Sequence, residues 1–391
     1  MRPLFITARG IVTALGQGDA ATLDALRARR SGLRACDFAD IAEGYIGRVE
    51  GVDGHRLPDE LARYDCRNNR LAHLALQAED FATQVLRATE RYGPERVAVV
   101  VGTSTSGVLA SEEAYGVRDP VTGALPASLD FERTHDLFAL ARFVREALGL
   151  RGPAMTVSIA CASAARSFVD AHRLIEAGLC DAAVVGGADS LCRLTLRGFA
   201  SLDLISPVPT RPCAAERAGI SIGEAAGFAL LEREGSGLAL LGYGVSSDGY
   251  HMSAPHPEGA GAIVAMRDAL GRAGLPAEAV DYVNLHGTGT RANDAMEDRA
   301  VVDVFGPDIP CSSTKGWTGH ALGAAGIVEA NLAALCIEND LAPGCLGVTA
   351  PDPSFRARVL VENTALPVRR VMSNSFGFGG ANCSLLLGTA P

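Results

Sequence analysis

Several features that define other classes of protein are missing from this chain of 391 residues. Its ten cysteines include no Cys-x-x-Cys pair, so the sequence predicts neither a zinc site nor a disulfide framework. No apolar run approaches the roughly 20 residues that span a bilayer, and no charged and apolar signal region opens the chain. We therefore expect a cytoplasmic protein with no membrane span.

Positive charge is also scarce. The chain has 35 lysine and arginine residues against 45 aspartate and glutamate residues, which gives a formal net charge of -10. Nucleic-acid binding needs a basic footprint against the phosphates, so a nucleic-acid partner is not expected. An acidic protein partner would be repelled on average and would need a local basic patch.

The chain does contain enough apolar sequence for a large core, since 48% of its residues are hydrophobic. Apolar runs alternate with helical patterns, which predicts an α/β fold with strands buried on both faces. The polar segment 232–237 interrupts this alternation and predicts two units, residues 1–235 and 236–391. The predicted helices are 138–147, 161–178, 260–273, 295–305 and a small-residue helix at 321–326. The predicted strands are 6–12, 97–101, 154–157, 182–186, 226–231, 238–243, 282–285, 359–362 and 384–387.

One cysteine stands where a nucleophile is expected. Cys161 lies between an apolar extended run and a small-residue helix, in the sequence Ser-Ile-Ala-Cys-Ala-Ser at 158–163. A strand-to-helix turn presents such a side chain, and the helix dipole and free N–H groups there favour a thiolate. Most of the other cysteines have the character of buried small hydrophobic residues. We therefore single out Cys161 as the candidate nucleophile.

Two histidine motifs and a glycine-rich turn lie downstream. His286 follows the predicted strand 282–285 and opens a Gly/Thr turn, while His320 ends the run Lys-Gly-Trp-Thr-Gly-His at 315–320. The run Asn-Ser-Phe-Gly-Phe-Gly-Gly at 374–380 does not match a phosphate-binding loop. A cysteine, distant histidines and a tight backbone turn are the parts that covalent acyl transfer requires.

On these motifs the chain resembles the β-ketoacyl-[acyl carrier protein] synthases of the thiolase superfamily, specifically the elongating enzymes with a Cys-His-His triad. The resemblance runs from the strand at 6–12 to the segment 381–385. It implies a thiolase-like, five-layer αβαβα fold built from two similar halves. It also implies the condensation of an acyl group on Cys161 with malonyl-carrier protein, with loss of carbon dioxide, in fatty-acid or polyene and polyketide-type elongation.

The resemblance assigns roles to the residues around the nucleophile. His286 and His320 would donate hydrogen bonds to the malonyl thioester carbonyl. Lys315 would order this pair, with Glu297 nearby as a supporting residue. The residues alone leave open which histidine, if either, activates a water.

Further assignments concern the oxyanion and the phosphopantetheine arm of the carrier protein. The N–H groups of Cys161 and Phe378 would form the oxyanion hole, and the Phe378 ring would gate the acyl tunnel. Thr288 and Thr290 would bind the phosphopantetheine that arrives on the acyl carrier protein. The resemblance implies no bound cofactor and no metal.

The chain departs from most elongating synthases after Arg211-Pro212. Residues 213–220 read Cys-Ala-Ala-Glu-Arg-Ala-Gly-Ile, so two carboxylates and two aromatic rings of the family pattern are absent. Thr105 stands where some relatives have an isoleucine at the bottom of the acyl pocket. With Phe199 and Ile220 as further pocket residues, we expect a reshaped pocket and a preference for an unsaturated or otherwise non-standard chain.

Three arginines suggest a docking site for the carrier protein. Arg63, Arg67 and Arg70 recur at i, i+4 and i+7, so on one helix they form a basic stripe. The stripe suits an acidic carrier protein, and Arg63 matches a basic position that the resembling family uses for docking. The alternatives are a solvated face, or Arg67 turned inward to an acidic partner.

Two other classes of protein share the implied fold. A non-catalytic chain-length factor, which pairs with an active synthase, characteristically lacks the cysteine, whereas Cys161, His286 and Lys315 are all present here. A thiolase needs a second cysteine in its C-terminal glycine-rich motif, and the segment 376–380 has none. We expect a homodimer, or a heterodimer with a paralogous synthase or chain-length factor.

Overall fold

The computed structural model describes residues 1–38, 40–41 and 44–390. The strands are β1 Leu4–Thr13, β2 Gly16–Gln17, β3 Leu33–Ala35, β4 Tyr45–Gly47, β5 Val97–Gly102, β6 Ala154–Val157, β7 Ala182–Asp189, β8 Ile222–Gly223, β9 Ala225–Glu232, β10 Leu238–Ser247, β11 Tyr282–Asn284, β12 Pro310–Ser312, β13 Leu341–Ala342, β14 Arg358–Val359, β15 Thr364–Ala365, β16 Arg370–Gly377 and β17 Ala381–Thr389.

The α-helices are α1 Gly18–Arg27, α2 Arg67–Gln77, α3 Phe81–Tyr92, α4 Val108–Gly116, α5 Phe131–Thr134, α6 Ala139–Ala147, α7 Ser163–Glu176, α8 Arg193–Ser201, α9 Ala260–Ala273, α10 Arg291–Phe305, α11 Lys315–Thr318 and α12 Ala325–Asn339. Short 3₁₀ helices lie at Asp59–Tyr64, Ala78–Asp80, Pro94–Arg96, Ala277–Ala279, Leu322–Ala324 and Phe378–Gly380.

The two halves of the chain repeat one sheet topology. The strands of the first half lie in the order β1-β9-β7-β5-β6, and those of the second in the order β10-β17-β16-β11-β12, extended by β14. In each half the first two neighbouring pairs are antiparallel and the next two are parallel. Strands β1 and β10 pair at Leu4 and Leu240, which joins the halves into one continuous sheet.

Helices cover these sheets in layers. Helices α7 and α12 pack against each other and against strands of both halves, and so form a central layer. Helices α2, α3 and α6 cover the outer face of the first half, while α9, with α10 beside it, covers that of the second. Each helical layer has its own apolar core, in which Phe168, Phe143 and Met266 respectively are fully buried. The predicted five-layer α/β fold is confirmed. The division of the chain near residue 235 stays a prediction; it falls between β9 and β10.

Most predicted elements are present with shifted ends. The helix predicted from residue 161 begins at Ser163, because the preceding turn has a left-handed residue, Ala160, and an isolated bridge between Ile159 and Cys161. The small-residue helix predicted at 321–326 is a 3₁₀ turn followed by the start of α12. The strand predicted at 359–362 is reduced to β14. Among the described residues, none of the helices combines the length and hydropathy that crossing a bilayer requires.

Candidate active site

Cys161 lies in a tight turn between β6 and α7. Ala160 has a φ of 52°, in the left-handed region that residues with a side chain rarely adopt. The hydroxyl of Ser163 holds the turn, since it accepts from the Ile159 N–H at 2.9 Å and donates to the Ala160 carbonyl at 2.6 Å. The sulfur therefore lies just before the N-terminus of α7, where the helix dipole stabilises negative charge.

His320 is the direct neighbour of the thiol. Its Nε2 lies 3.0 Å from the Cys161 sulfur, and its Nδ1 accepts a hydrogen bond from the Leu322 N–H at 3.2 Å. A nitrogen that accepts carries no proton, so a neutral His320 is protonated on Nε2. The side chain therefore presents an N–H donor to the sulfur.

His286 follows β11, and a donor near its Nδ1 fixes its protonation, as it does for His320. The Lys315 ammonium, which can only donate, lies 3.4 Å from His286 Nδ1 and also contacts the His286 carbonyl. The proton of a neutral His286 is thereby left on Nε2. The rings of His286 and His320 are 5.3 Å apart and nearly perpendicular, at 83°. The structure thus brings Cys161, both histidines and Lys315 together.

The carboxylate that pairs with Lys315 differs from the expected one. Lys315 forms an ion pair with Glu329 of α12, and both side chains are 2% exposed. Glu297 was expected near Lys315, but it instead accepts hydrogen bonds from the backbone N–H groups of His286 and Gly287, at 2.7 and 2.8 Å. Glu297 therefore holds the backbone of the histidine turn, while Glu329 holds the lysine.

Burial sets the protonation of the site. It raises the pKa of the Cys161 thiol to about 12, and the nearby charge of Lys315 opposes this rise. Burial, aided by Lys315, also lowers the pKa values of His286 and His320 well below 6.5. Both imidazoles are therefore neutral donors near pH 7. Burial opposes the thiolate that the start of the helix was expected to favour.

The glycine-rich turn closes over the sulfur. The backbone N–H of Phe378 lies near the Cys161 thiol and acts to lower its pKa, against the effect of burial. It belongs to the 3₁₀ turn in which Gly379 has a φ of 79°. A Cβ atom on Gly377 would lie 3.3 Å from the Cys161 nitrogen and 2.9 Å from the Ile159 carbonyl oxygen, so the close approach requires glycine. The Phe378 and Phe199 rings pack at 5.5 Å. Phe378 is thus placed where a gate over the thiol would be.

A cavity of about 480 Å³ opens from this turn to the surface. Its wall includes the thiol, both histidines and several of the other residues singled out in the sequence, which are Phe199, Ile220, Thr288, Thr290 and Phe378. The two threonine hydroxyls lie 2.9 Å apart. Thr105, predicted in the acyl pocket, is not brought to this cavity. It is buried with its N–H and hydroxyl on Asp189, each at 2.8 Å.

Sequence comparison identifies the family to which this site belongs. A model of the beta-ketoacyl synthase N-terminal domain matches residues 1–236, and a model of the C-terminal domain matches residues 238–349. The chain belongs to the beta-ketoacyl synthase family. Together the two domain models cover most of its length.

Individual relatives extend the comparison. The mitochondrial 3-oxoacyl-[acyl-carrier-protein] synthase of Arabidopsis thaliana is 41% identical over 61% of this chain, a match that spans only 57% of the relative's own length. The 3-oxoacyl-[acyl-carrier-protein] synthase 2 of Synechocystis is 31% identical over 97% of this chain and 96% of that protein. A ketosynthase solved in complex with its chain length factor, from Xenorhabdus doucetiae, has a TM-score of 0.90 at 40% identity and covers 100% of this chain and 98% of that chain.

The basic stripe expected on this chain is absent. Arg63 lies in the 3₁₀ helix 59–64, separate from α2, which carries Arg67 and Arg70. Arg67 is buried and bonds Glu224 through two nitrogens, at 2.7 and 2.5 Å, and it also contacts Asp53. This is the alternative in which Arg67 turns inward. Arg70 pairs with its neighbour Asp65, and the exposed Arg63 lies 3.3 Å from Asp130.

Sequence reasoning missed Glu329, although the chain contained an indication of it. Glu329 is the one carboxylate in the run Ala-Gly-Ile-Val-Glu-Ala-Asn-Leu-Ala-Ala-Leu-Cys-Ile at 325–337, which is buried throughout. A carboxylate inside such a helix requires a partner, because an unpaired buried charge is very costly. The partner itself is not apparent from the run.

The three reactive side chains also have the donors of a soft-metal site. Donor atoms of Cys161, His286 and His320 lie within 4.8 Å of one another. Thiolate and imidazole are ligands that zinc accepts. The adjacent ammonium of Lys315 disfavours a further cation there. That the chain works without a metal stays a prediction.

Proposed function

We propose that the chain catalyses the decarboxylative condensation of an acyl group on Cys161 with malonyl-acyl carrier protein, giving 3-oxoacyl-acyl carrier protein. The observation that carries the proposal is a buried thiol beside two neutral imidazoles, each with its proton on Nε2, at the end of a cavity that reaches the surface. Both curated relatives described above are named as 3-oxoacyl-[acyl-carrier-protein] synthases.

In the first step the Cys161 sulfur attacks the thioester carbonyl of acyl-carrier protein. A new carbon–sulfur bond forms, the bond to the phosphopantetheine sulfur breaks, and the carrier thiol leaves with the proton that Cys161 gave up. The oxygen of the tetrahedral intermediate accepts from the N–H groups of Cys161 and Phe378. The closeness of the Phe378 N–H to the thiol, where it acts to lower the thiol pKa, supports this role.

In the second step the malonyl thioester carbonyl accepts from the Nε2–H groups of His286 and His320. The bond to the malonyl carboxylate breaks and carbon dioxide leaves, and the electron pair forms an enolate that the two donors stabilise. Its carbon attacks the acyl carbonyl, the Cys161 sulfur departs, and the thiol takes up one proton from solvent. Neutral histidines suit this step since they donate without trapping the enolate as an ion pair.

We also propose that the phosphopantetheine arm enters past Thr288 and Thr290, and that the chain pairs with a second chain of the same fold. The Xenorhabdus ketosynthase was solved with such a partner, its chain length factor. The presence of Cys161, His286 and His320 makes this chain the catalytic member of a pair, against the alternative of a non-catalytic chain-length factor. A cytoplasmic location stays a prediction.

Intact-protein mass spectrometry after incubation with a panel of acyl-carrier proteins tests the first step. We expect one acyl group per chain on the wild type and none on Cys161→Ala. Cys36→Ala is the matched control, because Cys36 is the more accessible thiol and lies outside the cavity. Acylation that persists in Cys161→Ala contradicts the proposed nucleophile.

Release of labelled carbon dioxide from malonyl-carrier protein tests the second step. His286→Ala and His320→Ala should each still allow acylation of Cys161 but lose decarboxylation by about 10²–10³-fold, the usual cost of one oxyanion-type donor. Near wild-type release from either variant contradicts the assigned roles.

A further inference from the structure

The rim of the active-site cavity carries an arginine that the proposed steps do not use. Arg291 lines the cavity directly after Thr290 and is exposed to solvent. It is the first residue of α10, a helix of 15 residues. Its position places a cation on the route by which a substrate arm passes the two threonines.

Arg291 differs from the other arginine of this wall in having no charged partner. The Arg217 guanidinium lies 2.7 Å from Asp352 and 3.7 Å from Asp294. Within residues 1–38, 40–41 and 44–390, no carboxylate lies within 4.0 Å of the Arg291 guanidinium, and its side chain makes no hydrogen bond. The charge of Arg217 is neutralised by its two carboxylate partners, whereas Arg291 retains its charge and its donors for a ligand.

We propose that Arg291 binds the phosphodiester of the phosphopantetheine arm, and so positions the arm on which both thioester substrates arrive. The inference rests on the proposed function. The arm carries a thioester at one end and a phosphate at the other, with amides between them. With the thioester at Cys161 and the amides beside Thr288 and Thr290, the phosphate lies towards the rim. Guanidinium groups are well suited to binding phosphate oxygens.

The surroundings favour an anion at this point. Arg291 begins α10, and the N-terminus of a helix attracts negative charge. One rim carboxylate, Asp248, is engaged by Asn382 at 2.7 Å. Asp203 is exposed on the rim, and its negative charge opposes the binding of an anion there.

The test compares three acyl donors that carry the same acyl group: acyl-pantetheine, acyl-phosphopantetheine and acyl-carrier protein. The second-order rate of Cys161 acylation is measured for the wild type, Arg291→Ala and Arg291→Lys. The control is Arg299→Ala, since Arg299 is exposed on the same helix and pairs with Glu258 outside the cavity. In Arg291→Ala we expect the ratio of the phosphopantetheine rate to the pantetheine rate to fall about tenfold, as for an exposed charge-assisted contact. Arg291→Lys should retain part of this ratio, the effect should shrink as salt rises, and Arg299→Ala should leave the ratio unchanged.

Two results would overturn the inference. If the ratio of the phosphopantetheine rate to the pantetheine rate is unchanged in Arg291→Ala, Arg291 does not contact the phosphate, whether or not acylation by the carrier-bound donor becomes slower. If only the carrier-bound donor slows, Arg291 contacts the carrier protein itself and not the arm. Failure of the proposed function is distinguishable, because the wild type would then be acylated by none of the three donors.

Discussion

The ion pair between Lys315 and Glu329 offers the sharpest test of how the site is organised. Both side chains are 2% exposed, and the lysine also contacts the carbonyl and Nδ1 of His286. Glu329→Gln removes the carboxylate charge but keeps the shape. Breaking a buried pair in this way costs about 3–5 kcal/mol, because one charge is left without a partner. For a chain of this size that corresponds to a fall of roughly 4–6 °C in Tm.

The same change should impair catalysis. Without Glu329 the Lys315 ammonium loses the carboxylate that holds it in place, so the donor that fixes the proton of His286 on Nε2 is weakened. We expect carbon dioxide release from malonyl-carrier protein to fall by about 10²–10³-fold, as for the loss of one oxyanion donor. Acylation of Cys161 should decline much less. Glu338→Gln is the matched control on α12, since Glu338 is 43% exposed and lies outside the cavity.

A double variant separates stability from function. Lys315→Met with Glu329→Leu removes both charges together, and such replacements of a buried pair are often neutral or stabilising. We expect Tm to recover towards the wild-type value while carbon dioxide release stays low. The reasoning is refuted if Glu329→Gln melts no earlier than Glu338→Gln, or if the double variant regains decarboxylation.

Three further predictions follow from burial and from the cavity. Because burial lowers the pKa values of His286 and His320 well below 6.5, both rings should stay neutral as the pH falls from 7.5 to 6.5; nitrogen NMR showing an imidazolium at pH 6.5 would contradict this. Arg67→Ala should lower the free energy of unfolding by about 3–5 kcal/mol, since it leaves Glu224 buried and unpaired, whereas Arg63→Ala should change it little; urea titration distinguishes the two. Acylation rates should favour unsaturated over saturated acyl-carrier proteins, and a clear advantage of saturated medium or long chains would remove that preference.

Local pattern was enough to predict most of the fold. The β-branched run of β5 and the amphipathic run of α6 form the elements predicted for them because period and composition are local properties. The ends of the helices and strands were less predictable than their presence. No residue type in the sequence announces the left-handed Ala160 that delays the start of α7, since the surrounding turn imposes it.

The arginine stripe shows where periodicity misleads. Spacing at i, i+4 and i+7 gives one face only if the helix is continuous. Asp65 has an extended backbone, with ψ 109°, between the 3₁₀ helix that carries Arg63 and the helix that carries Arg67 and Arg70. Burial of Glu224 beside α2 then draws Arg67 inward.

The sequence by itself determined the family of the chain and the residues placed around its thiol. Cys161, His286 and His320 each sit in a short motif whose turn is built from neighbouring residues, so each could be recognised without its partners. Only the tertiary structure decided that Glu329 holds Lys315 and that Thr105 bonds Asp189 away from the cavity. The reason is physical: pairing and desolvation depend on which distant segments pack together, and this packing joins residues as far apart as Cys161 and His320.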